Sequence, residues 1–188
     1  MNTKDNSKMK LLKTASRLFQ LQGYHGTGLN QITRESGAPK GSLYYHFPNG
    51  KEELAVEAVK LTASLVTKRI ENGINSNEDL VTALSNFLEK MAKHFQEEDC
   101  SKGVPIAAIA LETSLVSEPL RSTCQNAYQS FETAFSKKLL QGGYEEAEAK
   151  ELAILINSMI EGAFILSFTK GTNEPLLILA KQIPKLLK

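Results

Sequence analysis

Residues 40–54 read KGSLYYHFPNGKEEL. Two tyrosines and a histidine follow a Lys-Gly pair, and a Pro-Asn-Gly turn and a second lysine follow them. Rings packed this densely belong to a core in most chains, yet here positive charge stands at both ends. Placed on a short helix, Leu43 and Phe47 are four apart and point one way, into a core. Tyr44 and Tyr45 then point elsewhere. A helix start of this kind suits a groove of DNA. Lys40 neutralises phosphate, and Gly41 lets the backbone approach base edges without a Cβ in the way. Ser42 offers a small hydroxyl, and the phenols of Tyr44 and Tyr45 can donate to phosphate oxygens, contacts that fix register. Taken singly, each tyrosine also reads as a core residue and Lys40 as a solvated charge; the combination argues for the interface.

Working outward from this stretch, the apolar residues recur with helical period almost everywhere, and no alternating run is long enough for a strand. Leu11, Leu12, Ala15, Leu18 and Phe19 form one stripe of a first helix over residues 8–22, ended by Gly23 and preceded by a polar, mobile arm. Thr27 reads as the N-cap of a short helix over 29–36, with Gly37 at its end. Pro39 opens a third helix that runs to His46. Three short helices, the last two joined by a glycine turn, make a helix-turn-helix unit over 27–47. Beyond it, helices are expected from Lys51 to Gly73 (with Leu54, Ala58, Leu61 and Leu65 inward), after a cap at Ser76, from Pro105, from Ser117 to Gly142, over 145–170, and from Pro175 until Pro184 cuts the last short. The stretch EEDCSKG (97–103) reads as a loop. The expected fold is all-α with about nine helices, a DNA-binding domain over 1–50 and a second helical domain over 51–188.

The segment from Leu152 to Phe168 is apolar nearly all round, and a helix with no solvated face must be covered on both sides. One cover is the chain's own core and the other a second copy of the chain. This assigns Ile156, Ile160, Phe164, Phe168, Leu176 and Leu179 to a homodimer interface, the alternative being a helix enclosed within its own domain. Phe87, Met91, Phe95, Tyr128, Phe131, Phe135 and Met159, with Phe164, lie on inward stripes and can line a pocket, although each also reads as ordinary packing.

Charge is distributed unevenly. Residues 1–54 hold eight basic and four acidic side chains, while the remainder carries a net −3 in a chain whose total is +1. A basic head meets an anion. With 41% hydrophobic and 23% charged residues the composition is that of a globular protein. Cys100 and Cys124 are too few for a disulfide framework and read as reduced thiols. No apolar N-terminal segment resembles a signal peptide, and LAILINSMI (152–160), broken by Glu161, is too short for a bilayer; a cytoplasmic protein with no membrane partner is expected. The phosphate-loop pattern fails at Tyr45, and Glu52 follows Lys51 where Ser or Thr is needed. His25, His46 and His94 are scattered, and His94, Asp99 and Cys100 do not have the spacing of a metal site. No metal, cofactor or enzymatic activity is expected.

The run GYHGTGLNQITRESGAPKGSLYYHFPNGKEEL (23–54) resembles the N-terminal region of TetR-family transcriptional repressors. The resemblance rests on Gly23, Tyr24, Thr27, Ile32, Gly37, Lys40, Gly41, Leu43, Tyr44, His46, Phe47, Lys51, Glu52 and Leu54, and covers residues 8–60. Thr33, the pair Ala38-Pro39 and the additional Gly50 depart from the usual pattern; the HFPNGKEEL form resembles the branch containing the LmrA and YxaF repressors. The resemblance implies DNA contacts from Thr27, Gly28, Lys40, Gly41, Ser42, Tyr44, Tyr45, His46 and Lys51. It also implies a homodimer on a palindromic operator, released when a small hydrophobic effector, a flavonoid or a drug-like aromatic, enters the second domain.

Overall fold

The computed structural model describes residues 3–75, 78–97 and 106–187. Among them the chain forms nine α-helices and no strand. These are α1 (Thr3–Gln22), α2 (Leu29–Ser36), α3 (Lys40–His46), α4 (Lys51–Ile74), α5 (Leu80–Glu97), α6 (Ala107–Thr113), α7 (Glu118–Gln141), α8 (Glu146–Lys170) and α9 (Glu174–Leu186). The chain divides into two compact units, one made of residues 1–64 and 102–127, the other of 65–101 and 128–188.

In the first unit the α1 stripe is buried as its period demands: Leu11, Leu12, Ala15, Leu18 and Phe19 all lie in the core. Ile32 of α2, Leu43 in the middle of α3 and Phe47 just past its end, and Leu54, Ala55 and Ala58 of α4 are likewise buried. Each large one contributes roughly 1.5–3 kcal/mol over its exposed state. Gly37 ends α2 at φ +63° with its N–H on the Arg34 carbonyl, a left-handed cap that a side chain resists. Arg17 of α1 meets Glu35 of α2 at 2.6 Å. At the start of α4 the Glu53 carboxylate accepts the Asn49 N–H at 2.9 Å, satisfying a donor that the first turn cannot. The Ser117 hydroxyl accepts the Leu120 N–H at 3.3 Å and caps α7 as expected.

The second unit is built on α5, α8 and α9, with α5 packed along α9 and α9 against α8. Ala83, Leu84, Phe87, Leu88, Ala92 and Phe95 are the buried face of α5. At the head of α5 the Asp79 carboxylate accepts the Thr82 N–H at 3.0 Å; hydrogen bonds from the Thr82 side chain and then from its backbone hold the Asp79 carboxyl below the usual carboxylate value.

Several expectations are revised. α1 begins at Thr3, so the polar stretch taken as an arm is helical where it is described. Thr27 does not cap α2. Gly28 holds the N-cap position, and Thr27 is fully buried with its hydroxyl donating to the Gly23 carbonyl at 2.8 Å. The apolar stripe expected on α4 fails at Leu65, which is 58% exposed while Thr62 one turn back is buried. α9 runs through Pro184 to Leu186. That proline is exposed and sits in the last turn, where a single lost N–H bond is all it removes. α8 is 25 residues long and continuous through Glu161, apolar enough by length and composition to cross a membrane; its buried face nevertheless packs on α9 as a core helix does. Ser76, Pro105, Asp99, Cys100 and residues 98–103 of the expected loop lie outside the described residues.

Candidate nucleic-acid interface

The turn between α2 and α3 is held by its own polar groups. The Ser36 hydroxyl donates to the Thr33 carbonyl at 3.0 Å and accepts the Ala38 N–H at 3.2 Å. Pro39 then takes the N-cap position of α3, and its carbonyl accepts the Ser42 N–H at 2.9 Å. With Leu43 and Phe47 anchored in the core, Gly41, Tyr44 and Tyr45 of this seven-residue helix are presented outward. Tyr44 is 63% and Tyr45 66% exposed. His46 is half-buried, its ring set edge-on to Tyr45 at 4.9 Å. The core reading of the two tyrosines is thereby excluded.

Gly41 and Gly28 share an instructive property. Neither has a positive φ, and a Cβ added to either would meet nothing within 4 Å. The chain's own packing does not call for glycine at these positions, whereas close approach by an external surface does. Ser42 is half-exposed beside Gly41. Thus Gly28, Gly41, Ser42, Tyr44 and Tyr45 reach the outside, His46 partly so, and Thr27 does not.

Lys51 is half-buried, and its ammonium stands 4.4 Å from the centroid of the Tyr24 ring. Burial pulls its pKa below the usual amine value, opposed by the negative charge of Glu112. Burial raises the Tyr24 phenol, and Glu52 adds to this. Sequence reasoning missed Glu112 altogether, and no local pattern could have found it, because its partner His25 lies 87 residues away.

The assignments in the second unit also change. Ile156, Ile160, Leu176 and Leu179, put forward for a dimer interface, are buried in the chain's own core. Phe164 and Phe168 rest against Phe95, at 6.3 and 4.9 Å between ring centroids. What α8 holds out instead is Ile154, Leu155, Ile165 and Leu166, one helical stripe, and α9 holds out Leu177 and Ile178. Periodicity cannot choose between faces when a helix is apolar all round. The aromatics put forward for a pocket pack on one another, Phe87 edge-on to Phe135 at 6.2 Å and Tyr128 edge-on to Phe131 at 6.0 Å, and Met91 and Met159 are half-buried. A cleft of about 680 Å³ lies elsewhere, lined by Asp79, Leu80, Lys138, Gly142, Tyr144 and Glu148 among others, and none of the seven pocket residues borders it. Cys124 is buried, which pushes its thiol up to about 11 and leaves it a poor nucleophile.

A short helix anchored at its middle and just past its C-terminus, offering tyrosines and a bare backbone behind a tight turn from a preceding helix, defines a helix-turn-helix protein. Residues 11–58 match the family described as bacterial regulatory proteins, tetR family. Residues 81–182 match the C-terminal domain of LmrA/YxaF-like transcriptional regulators. The HTH-type transcriptional regulator YxaF of Bacillus subtilis is 51% identical over 188 residues, covering 100% of this chain and 98% of that protein. LmrA of the same organism is 46% identical over 183 residues, with 97% of each chain covered. Among solved structures, a TetR transcriptional regulator from Chloroflexus aurantiacus aligns with a TM-score of 0.83 at 26% identity, over 97% of this chain and 94% of that one. Escherichia coli NemR in its reduced form shares the fold, with a TM-score of 0.84 at 20% identity over 94% of each chain. The chain belongs to the TetR family of helix-turn-helix transcriptional regulators, which are not enzymes, and its C-terminal part is of the LmrA/YxaF-like kind.

Proposed function

We propose that this regulator is a repressor that acts in the cytoplasm as a homodimer on a palindromic operator and leaves it when a small hydrophobic or aromatic effector binds. Residues 1–50 carry the DNA contacts, and residues 51–188 carry effector binding and dimerisation. The observation that supports this reading best is the outward display of Tyr44 and Tyr45 beside the unencumbered backbone of Gly41. Phenol hydroxyls and a helix start suit phosphate and groove edge. Lys40 joins them on the sequence reading, as a phosphate contact.

Dimerisation is supported by the outward stripes of α8 and α9, which replace the residues named from the sequence. Two-fold symmetry of the protein imposes an inverted repeat on the DNA, with half-sites on the order of 34–36 Å apart or a multiple of that. The effector is a planar aromatic such as a flavonoid, or a drug-like hydrophobe, a class carried over from the resemblance. A retardation assay with DNA from upstream of the gene itself or its neighbour tests the first step, and footprinting tests the symmetry. Protection of a single asymmetric half-site overturns the dimeric reading. A screen of melting temperature against planar aromatics tests the effector class, since a ligand that prefers the native state raises the midpoint.

A further inference from the structure

The turn joining α1 to α2 is held by a residue that belongs to neither helix. It runs Gly23-Tyr24-His25-Gly26-Thr27-Gly28. Gly23 lies at φ +72°, with its N–H on the Phe19 carbonyl at 3.0 Å. A Cβ on Gly23 would stand 1.7 Å from Oε1 of Glu112, so the space left by the missing side chain is the space the carboxylate fills. The other oxygen of Glu112 accepts the backbone N–H of His25 at 2.7 Å. Glu112 sits on α6, which packs against α1 in the same compact unit.

The carboxylate has a counter-charge. Lys51, the first residue of α4, places its ammonium 4.4 Å over the Tyr24 ring, and the negative charge of Glu112 favours its protonated form. Tyr24 in turn stacks on Phe19 at 5.9 Å between centroids. Next to Lys51, the Glu52 carboxylate accepts the hydroxyl of Ser117 at 2.6 Å. The segment 112–117 therefore grips both the α1–α2 turn and the first turn of α4, the two backbone pieces that bracket α2 and α3.

We infer that Glu112 and Lys51 form a latch that positions the helix-turn-helix, and that Lys51 serves this latch rather than a DNA phosphate. An ammonium half-buried over a ring of its own chain, with the Glu112 charge opposing that burial, is already engaged within the protein. The same pairing keeps Glu112 from repelling DNA. The inference rests on the DNA-binding reading of α3, and its test is arranged so that the two can fail separately.

The test uses the full-length protein, with Lys51→Gln, Glu112→Ala, their combination, and the conservative Lys51→Arg and Glu112→Gln. Operator affinity is measured at several salt concentrations, with melting temperature as the folding control and Lys40→Ala as the phosphate-contact reference. Lys51→Gln and Glu112→Ala should each weaken binding about tenfold, the first by losing the cation over the Tyr24 ring and the second by losing the charge-assisted hydrogen bond to the His25 N–H. Their salt slopes should match the wild type, whereas Lys40→Ala should lose about one unit per half-site. The double variant should bind no worse than either single one, and the conservative variants should recover most of the loss. In free protein, exchange of the His25 amide should accelerate in Glu112→Ala and stay slow in Glu112→Gln. A slope lowered by Lys51→Gln as by Lys40→Ala overturns the assignment of Lys51. Wild-type affinity in Glu112→Ala, or unchanged His25 exchange, overturns the latch. If the wild type binds no operator, the DNA reading has failed, and the His25 amide still decides whether the latch exists.

Discussion

Among the parts of the molecule that hold large apolar side chains out to solvent, α3 and the α8–α9 pair differ in chemistry. On α3 they are Tyr44 and Tyr45, on a seven-residue helix with a glycine beside them. On α8 they are Ile154, Leu155, Ile165 and Leu166, with Leu177 and Ile178 on α9. A phenol presents a ring and a hydroxyl, so it serves a surface that is polar and charged. An aliphatic stripe offers no hydrogen bond and is stable only against another apolar surface. Exposure alone therefore does not identify a partner; the polar handle on the exposed group does.

A single charge placed on each surface breaks the comparison most sharply. Leu166→Asp should leave the fold intact and turn the proposed dimer into a monomer at micromolar concentration in sedimentation velocity, a weakening of at least about thirtyfold for a central contact. Tyr45→Asp should leave the sedimentation coefficient alone and abolish operator retardation. If the two variants exchange these phenotypes, or if Leu166→Asp remains dimeric, the division of labour is wrong.

Truncation of the anchors beneath each surface comes next. Phe47→Ala should cost roughly 3–5 kcal/mol and Ile160→Ala roughly 2–5 kcal/mol of unfolding free energy, both in the range for buried large-to-small changes. Chemical denaturation followed by circular dichroism reads both. A cost below about 1 kcal/mol at Ile160 returns that residue to the interface and away from the core.

Glu161 adds a pH dependence to the second region. Burial pushes its carboxyl up to about 7, and its Oε2 has no hydrogen-bond partner. The protonated form is the one the fold accepts, so the favourable state is complete below the unfolded value near 4.5. Stability drains as pH rises from there through about 7, because the unfolded chain ionises first. Glu161→Gln should match the wild type at pH 4 and exceed it by about 3 kcal/mol at pH 8. Parallel stability profiles across that range contradict the burial of an uncompensated carboxyl.

The smallest effect sharpens the comparison. Tyr45→Phe removes only a hydroxyl from an exposed ring, so melting temperature should not move and operator affinity should drop about three- to tenfold. Unchanged affinity at every salt concentration removes the phenol from the interface.

Much of this molecule was legible in its order of residues. Helical period, Gly37 at the end of α2 and Pro39 at the start of α3 placed the helix-turn-helix to within a residue or two, because caps and turns are local chemistry. The pair Leu43 and Phe47 announced which side of α3 faces inward, and hence that Tyr44 and Tyr45 face out. What resisted reading was every choice between equivalents. α8 is apolar on all sides, so its period could not say that Ile156 and Ile160 pack inward while Ile154 and Leu166 face out. Thr27 has the chemistry of an N-cap, yet burial gives its hydroxyl to the Gly23 carbonyl. Lys51 has the chemistry of a phosphate contact, yet its ammonium lies 4.4 Å from the centroid of the Tyr24 ring. Local sequence determines which conformations and bonds a residue can form. Only the packed tertiary structure decides which is formed, because the competing partners are supplied by segments distant in the chain.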